Sequence, residues 1–109
     1  MPASVLACKL YFMTYDVDIH RQIEFLNHYK ASDPALYGSS MMAFLELWKD
    51  YAPNLCKYLK YAWKSIQYSC PAWDALKVKY KDEMDKAQKM HDIDQKKTEI
   101  RLAMKDYEL

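Results

Sequence analysis

The order of apolar and polar positions divides the chain into helical segments joined by short connections. In the segment from residue 19 to residue 29, apolar side chains recur four and then three positions apart, at Ile19, Ile23 and Leu26. This spacing places them on one face of an α-helix. Asp16 and Asp18 precede the segment and can cap its N-terminus. The helix is expected to end near Asp33, because a residue before proline avoids the α-helical region of backbone space.

The segment before it, VLACKLYFMTY at residues 5–15, is apolar almost throughout. Such a run is compatible with a short strand and with a buried helix. We expect a helix, because the remainder of the chain offers no strand that could pair with it. The alternative would matter for function, since an isolated strand adds to the sheet edge of another protein.

Two more helices are predicted in the middle of the chain. The segment SDPALYGSS, at residues 32–40, contains the single glycine and is expected to be the main loop. A helix then begins at Ser39 or Ser40 and continues through Tyr51. Pro53 fits the first turn of the following helix, where its missing N–H costs no hydrogen bond. That helix carries two opposite stripes, one apolar (Leu55, Leu59, Ala62 and Ile66) and one polar (Lys57, Lys60, Lys64 and Gln67).

The final segment contains neither glycine nor proline after Pro71. Ser69 or Cys70 can cap it, and from about residue 71 to about residue 107 it would form one helix roughly 55 Å long. A compact domain of this size has a radius of gyration of only about 13 Å. The helix must therefore extend beyond the body of the domain or break.

The apolar side chains of this segment form two stripes that do not line up. The first consists of Trp73, Leu76, Tyr80, Met84 and Ala87, and the second of Met90, Ile93, Ile100, Met104 and Tyr107. At about 100° per residue, the second stripe is turned by roughly 120–180° from the first. The two halves are therefore expected to pack against different surfaces, or the helix breaks near KMHDID, residues 89–94.

The glycine content supports an all-α fold. Gly38 is the only glycine in 109 residues, whereas globular chains average about 7% glycine. Hairpins and tight turns need positive φ angles, which glycine mostly supplies. We therefore predict four or five helices with short loops, ending in a long charged C-terminal helix. They form one domain over residues 1–109, with a compact part at about 1–88 and an extended helix at about 71–107.

Positive charge is concentrated in one part of the chain, although the net charge is only +1. Residues 51–81 carry six basic side chains and one acidic side chain, interleaved with aromatic residues. The candidate interface residues here are Lys57, Tyr58, Lys60, Tyr61, Trp63, Lys64 and Tyr68. Because the lysines lie opposite the aliphatic stripe, with tyrosines between, we favour packing against protein. An anionic membrane surface and a nucleic acid are the alternatives, the nucleic acid being the less favoured.

The sequence gives no indication of a catalytic, cofactor or metal site. The cysteines and histidines, which are Cys8, His20, His28, Cys56, Cys70 and His91, show no metal-ligand spacing. A single glycine leaves no room for a phosphate-binding loop and little for an oxyanion hole. We therefore predict no enzyme activity, no cofactor and no small-molecule substrate. Three cysteines without a C-x-x-C pair favour a reducing, intracellular compartment.

The abundance of aromatic and methionine side chains indicates function through protein contacts. Ten tyrosines, three tryptophans and seven methionines exceed what a small core needs. The second stripe of the last helix, Met90, Ile93, Ile100, Met104 and Tyr107, completes the predicted interface. No secretory signal and no run of about 18 uncharged apolar residues are visible.

We expect a structural or accessory subunit of a larger protein assembly, and its character suggests a membrane-associated complex, as in the mitochondrial inner membrane. A small helical inhibitor or adaptor, such as a virus-encoded one, is the second hypothesis. A nucleic-acid binder using residues 57–81 is the third, and an enzyme the fourth.

Overall fold

The computed structural model describes residues 2–66 and 70–107, and these ranges contain six helices and no strand. The all-α prediction is confirmed, with one or two helices more than predicted, and the C-terminal helix is long. Residues 5–14 lie in the first helix and Tyr15 is its C-cap, so the strand alternative is wrong. The helices are α1 Ala3–Thr14, α2 Ile19–Ser32, α3 Pro34–Trp48, α4 Pro53–Ile66, α5 Cys70–Lys79 and α6 Lys81–Tyr107.

The connection between α1 and α2 ends one helix and starts the next without any glycine. Asp16 adopts a φ of 51°, the left-handed conformation that usually requires glycine. The N–H of Val17 donates to the carbonyl of Phe12 at 3.0 Å, and that of Asp16 to the carbonyl of Met13 at 3.3 Å. These two bonds and the contact between Val17 and Phe12 form a Schellman motif. Of the two predicted caps, Asp18 is the one that caps α2, accepting from the Arg21 N–H at 2.8 Å.

The predicted loop at residues 32–40 is wrong, because α3 begins there. The Asp33 carboxylate accepts a hydrogen bond from the Leu36 N–H at 3.1 Å, and Pro34 occupies the first helical turn. The pair Asp33–Pro34 ends α2, because a residue before proline avoids the helical conformation. The same pair starts α3, because aspartate is a good N-cap and proline fits the first helical turn. Asp33 is thus the whole connection between α2 and α3, and Gly38 lies within α3.

The five helices from α2 through α6 contribute to one apolar core. Helix α1 packs against α3 through a smaller cluster. Tyr37, Trp48 and Trp73 are the largest side chains of the main core. The indole N–H groups of both tryptophans are paired, since Trp48 Nε1 donates to Gln22 at 2.9 Å and Trp73 Nε1 to the Ile66 carbonyl at 3.0 Å. The smaller cluster consists of Val5, Phe12 and Ala43.

The final segment breaks at Tyr80, and not near residues 89–94 as one alternative predicted. Tyr80 alone separates α5 from α6, and backbone hydrogen bonds continue on both sides of it, with no glycine or proline to mark the position. Trp73 and Leu76 of α5 and Met84 and Ala87 of α6 are all buried in the same core.

The first half of α6 supplies hydrogen-bond acceptors to the N-termini of two other helices. The Glu83 carboxylate accepts from the Leu55 N–H at 2.7 Å and from Asn54 Nδ2 at 2.8 Å, which caps α4. The Gln88 side-chain carbonyl accepts from the Ile19 N–H at 2.8 Å, which caps α2. Both bonds satisfy N–H groups that a helix leaves without an internal partner.

Three further polar residues of α6 lie against the body. The Asp85 carboxylate is 2.7 Å from His20 Nε2 and 2.9 Å from Lys81 Nζ. Both hydrogen bonds lower the pKa of Asp85, and the bond from Lys81 has the larger effect. The His91 ring packs 5.0 Å from the Trp48 ring, and the Tyr51 hydroxyl donates to Asp94 at 2.9 Å.

Beyond this point α6 extends away from the body. Every described side chain from Asp92 to Lys105 is exposed. The molecule measures 53 × 31 × 20 Å with a radius of gyration of 15.4 Å, larger than the value of about 13 Å typical of a compact domain of this length.

We expect Trp73→Ala to lower the free energy of unfolding by about 3–5 kcal/mol, the usual loss for a buried tryptophan. Trp73 is fully buried and its indole N–H is bonded. Val78→Ala is the control, because Val78 lies on the same helix and is 80% exposed. Guanidinium denaturation measures both, and losses of similar size would contradict the assignment of Trp73 to the core.

We expect Glu83→Ala to lower the free energy of unfolding by about 1–2 kcal/mol, because it leaves the first turn of α4 without its acceptor. Glu99→Ala removes an exposed carboxylate from the same helix and serves as the matched control. Amide exchange at Leu55 should accelerate in the first variant alone. Unchanged exchange there would show that the cap contributes nothing.

Candidate interaction surfaces

The basic surface of α4 is exposed, and its aliphatic side is buried. Leu55, Leu59 and Ile66 lie in the core. Lys57, Lys60 and Lys64 point to solvent. The amphipathic pattern of this helix therefore places the three ammonium groups together on the outside of the molecule.

The aromatic residues of this region differ in how far they are engaged by their own chain. The Tyr58 ring lies 5.7 Å from the Tyr80 ring, with Lys79 Nζ 5.9 Å and 5.4 Å from the two ring centres. Trp63 is half-buried, 5.6 Å from the Tyr37 ring and 5.4 Å from Lys64 Nζ.

Tyr61, by contrast, is 80% exposed. Of the predicted aromatic residues that the structure describes, Tyr61 is the one best placed to stack on a partner. Tyr68 lies outside the described residues.

A groove of about 460 Å³ separates α3 from α4 beside this basic surface. Its lining is mixed, with Met42, Leu45, Glu46, Lys49, Pro53, Cys56, Lys57, Lys60 and Tyr61. Burial, reinforced by the negative charge of Glu83, raises the pKa of the Cys56 thiol to about 12. The thiol therefore stays protonated at neutral pH and is a poor nucleophile.

The second predicted interface, on α6, is also exposed. Met90, Ile93, Ile100 and Met104 each expose more than half of their surface. Tyr107 falls in the last turn of α6, and its side chain lies outside what the structure describes. This stripe and the basic surface of α4 belong to different elements, so they are two separate candidate surfaces.

A third surface, on α1, was missed by the sequence reasoning. One side of α1 packs on the core through Val5 and Phe12, while the other exposes Leu6, Leu10 and Met13 by 46–55%. Tyr11 and Tyr15 are also exposed, but they lie more than 100° around the helix from the centre of this stripe. The sequence carried a signal for it, because an apolar run in a helix that packs on one side must expose its other side.

The described cysteine and histidine side chains do not form a cluster. Among the described residues, no three His, Cys, Asp or Glu side chains form a group that could hold a metal ion. Cys8 and Cys56 are free thiols, and burial also raises the pKa of Cys8. His20 and His91 are engaged with Asp85 and Trp48. None of the helices within the described ranges is both long and apolar enough to cross a membrane.

We expect the triple variant Lys57→Glu, Lys60→Glu, Lys64→Glu to fold normally, since exposed charges contribute little to stability. It should lose binding to vesicles that contain an anionic lipid, because the ammonium cluster becomes a carboxylate cluster. Lys86→Glu, Lys89→Glu, Lys96→Glu is the matched control, with the same change in charge on exposed positions of α6. Thermal melting and vesicle co-sedimentation measure both variants. Unfolding of the first variant, or equal loss of binding in both, would contradict the assignment.

Comparison with known proteins gives no match to a family model, to a curated protein or to a solved structure. The three exposed surfaces of the molecule are therefore the features that bear on its function.

Proposed function

We propose that the protein is a non-enzymatic accessory subunit that docks into a larger protein assembly through its exposed helical faces. The observation that carries the proposal is the exposed apolar face of α1. Leu6, Leu10 and Met13 lie at successive helical turns and are exposed, and Tyr11 and Tyr15 are exposed elsewhere on the surface of this region. Contiguous apolar surface of this kind marks sites of interaction, and tyrosine and methionine are favoured there.

Charge supports protein over lipid as the partner of α1. A helix that lies in a membrane interface carries lysine or arginine along its polar face. Lys9 is the one charged residue of α1, and it is half-buried. The side of α1 opposite the apolar stripe is packed on α3, as Val5, Phe12 and Ala43 show. A complementary apolar face on another protein fits this surface best.

The basic surface of α4 favours a second contact, with an anionic partner. Lys57, Lys60 and Lys64 are exposed together beside Tyr61. In a subunit of a membrane-associated complex, this side would face lipid head groups, with the lysine stems lying along the protein and the ammonium groups at the phosphates. A nucleic acid would use the same charges, but stacking platforms need several free aromatic rings. Tyr58 and Trp63 already contact Tyr80 and Tyr37.

The alternative of a small inhibitor or adaptor predicts the same surfaces and differs in the number of partners. An inhibitor covers one site on one protein, so one stoichiometric partner would be recovered with it. A subunit is recovered with several proteins at once. Purification from the native source at low and moderate salt separates these cases. Nucleic acid that is recovered at low salt and lost at moderate salt would instead favour a nucleic-acid binder that uses residues 57–81.

We expect the variant Leu6→Gln, Leu10→Gln, Met13→Gln to keep its helical circular dichroism, because glutamine is a good helix former and these positions are exposed. It should lose the binding of a hydrophobic dye and the recovery of the assembly. Val78→Gln removes an exposed apolar side chain from α5 and should change neither. A wild-type chain that is a dye-silent monomer, or equal recovery of the assembly with the variant, would overturn the proposal.

A further inference from the structure

The second stripe of α6 repeats at the spacing of a coiled coil once Lys97 is included. Its positions are then separated by three and four residues in strict alternation, in the order Met90, Ile93, Lys97, Ile100, Met104 and Tyr107. Alternation of three and four is the heptad pattern that places residues on the seam between two helices. The pattern begins only at Met90, because the buried positions of the first half, Met84 and Ala87, follow a different face.

The stripe faces away from the body of its own chain. Seven positions of α6 contact the body, namely Glu83, Met84, Asp85, Ala87, Gln88, His91 and Asp94. At about 100° per residue, the centre of the stripe is turned by about 140° from the centre of these positions. A second helix can therefore lie along the stripe from Met90 onwards without displacing any contact of α6 with the body.

We infer that the stripe pairs with the same stripe of a second copy of this chain, in antiparallel orientation. Antiparallel pairing places Met90 against the partner's Tyr107, Ile93 against the partner's Met104, and Lys97 against the partner's Ile100. Each contact then occurs twice, as a two-fold symmetric interface requires. The stripe of α6 is one of the exposed helical faces through which we proposed that the protein docks. Naming its partner therefore rests on that proposed function.

Charge complementarity selects the antiparallel orientation. Asp94 and Arg101 flank the stripe on the same side, and antiparallel pairing brings Asp94 opposite the partner's Arg101 at both ends. Charges at such flanking positions decide partner and orientation in coiled coils. Parallel pairing in register would set Lys89 beside the partner's Asp94. However, it would also set Lys96 beside the partner's Arg101 and place both Lys97 side chains in the same layer.

The position of the body selects the same orientation. The body ends near Asp94, and the exposed part of α6 extends from there in one direction. In a parallel pair the two bodies would compete for the space beside the first layer. In an antiparallel pair they lie at opposite ends of an overlap about 27 Å long, which follows from about 1.5 Å per residue over residues 90–107.

Lys97 makes the pairing specific and weak. A single lysine at a seam position fixes register at a cost in stability, and its stem can cover Ile100 of the partner subunit while its ammonium group reaches water. The overlap spans roughly two and a half heptads, fewer than the three or four of a sustained coiled coil. The dimer should therefore form reversibly and be tightened by Lys97→Leu.

Sedimentation of the full chain between about 10 μM and 1 mM, a range that detects weak association, tests the pairing. Wild type should shift from monomer to dimer, and Ile100→Glu should weaken association about tenfold or more. Leu102→Glu is the matched control, since Leu102 is 58% exposed against 54% for Ile100 but lies on a different face of α6. A monomer throughout, for wild type and for Lys97→Leu alike, would overturn the inference.

Disulfide formation tests the orientation. Chains carrying Ile93→Cys and chains carrying Met104→Cys should cross-link when mixed and only weakly when kept apart. The unsubstituted chain reports any background from the native cysteines. Efficient cross-linking of each variant with itself would show parallel pairing and overturn the antiparallel arrangement.

The variant of α1 separates this inference from the proposed function. If Leu6→Gln, Leu10→Gln, Met13→Gln abolishes self-association while Ile100→Glu does not, the dimer forms through α1 and the inference about α6 is wrong. The docking role of α1 would survive that result. Loss of assembly recovery in the α1 variant with an intact dimer would support both.

Discussion

The fold depends on acceptors that α6 supplies to helices far away in the chain. The N-termini of α2 and α4 have N–H groups without an internal partner, and Gln88 and Glu83 accept from them across sequence separations of 69 and 28 residues. The carboxylate of Glu83 also suits the positive end of the α4 dipole. Because Met84 and Ala87 are buried between these two acceptors, apolar packing and capping hold α6 in one position.

This arrangement divides one continuous helix into two parts with different surroundings. Up to Asp94, one side of α6 contacts the body through side chains such as Asp85 and Asp94, and the described side chains from there to Lys105 are exposed. A helix of about fifteen residues without tertiary contacts is marginal in water. The outer part is therefore held helical by its continuity with the anchored part, and it carries an apolar face that none of the other described residues of its own chain covers.

How much could be predicted from the sequence depended on whether the signal was local. Asp18 as a cap and the amphipathic α4 depend on neighbouring residues, and the structure agrees with both. The single glycine is a property of the whole composition, and the helices it predicted are present. The pair Asp33–Pro34 was interpreted as a loop because it can end a helix as well as start one, and local sequence does not decide between the two. The break at Tyr80 has no local marker, since it follows from how α5 and α6 share one core.

The candidate surfaces also divide into features that local sequence predicted and features that depend on long-range packing. The lysines of α4 could be placed from periodicity, but contacts such as Tyr58 with Tyr80 depend on long-range packing and could not. The exposed side of α1 was hidden by its composition: a helix apolar on all sides has no preferred face, so its outer face became evident only once Val5 and Phe12 were located in the core.

The anchored and extended halves of α6 also differ in how readily they open. Local opening costs least where few buried contacts hold a segment, so the resistance of α6 to opening falls along its length from Met84 towards its C-terminal end. Proteases act on segments that open locally, and we expect an unassembled copy to be cut first in this outer half. A second helix packed on the outer half of α6 would raise the free energy of local opening in that half. Assembly would then also determine how long the chain survives proteolysis.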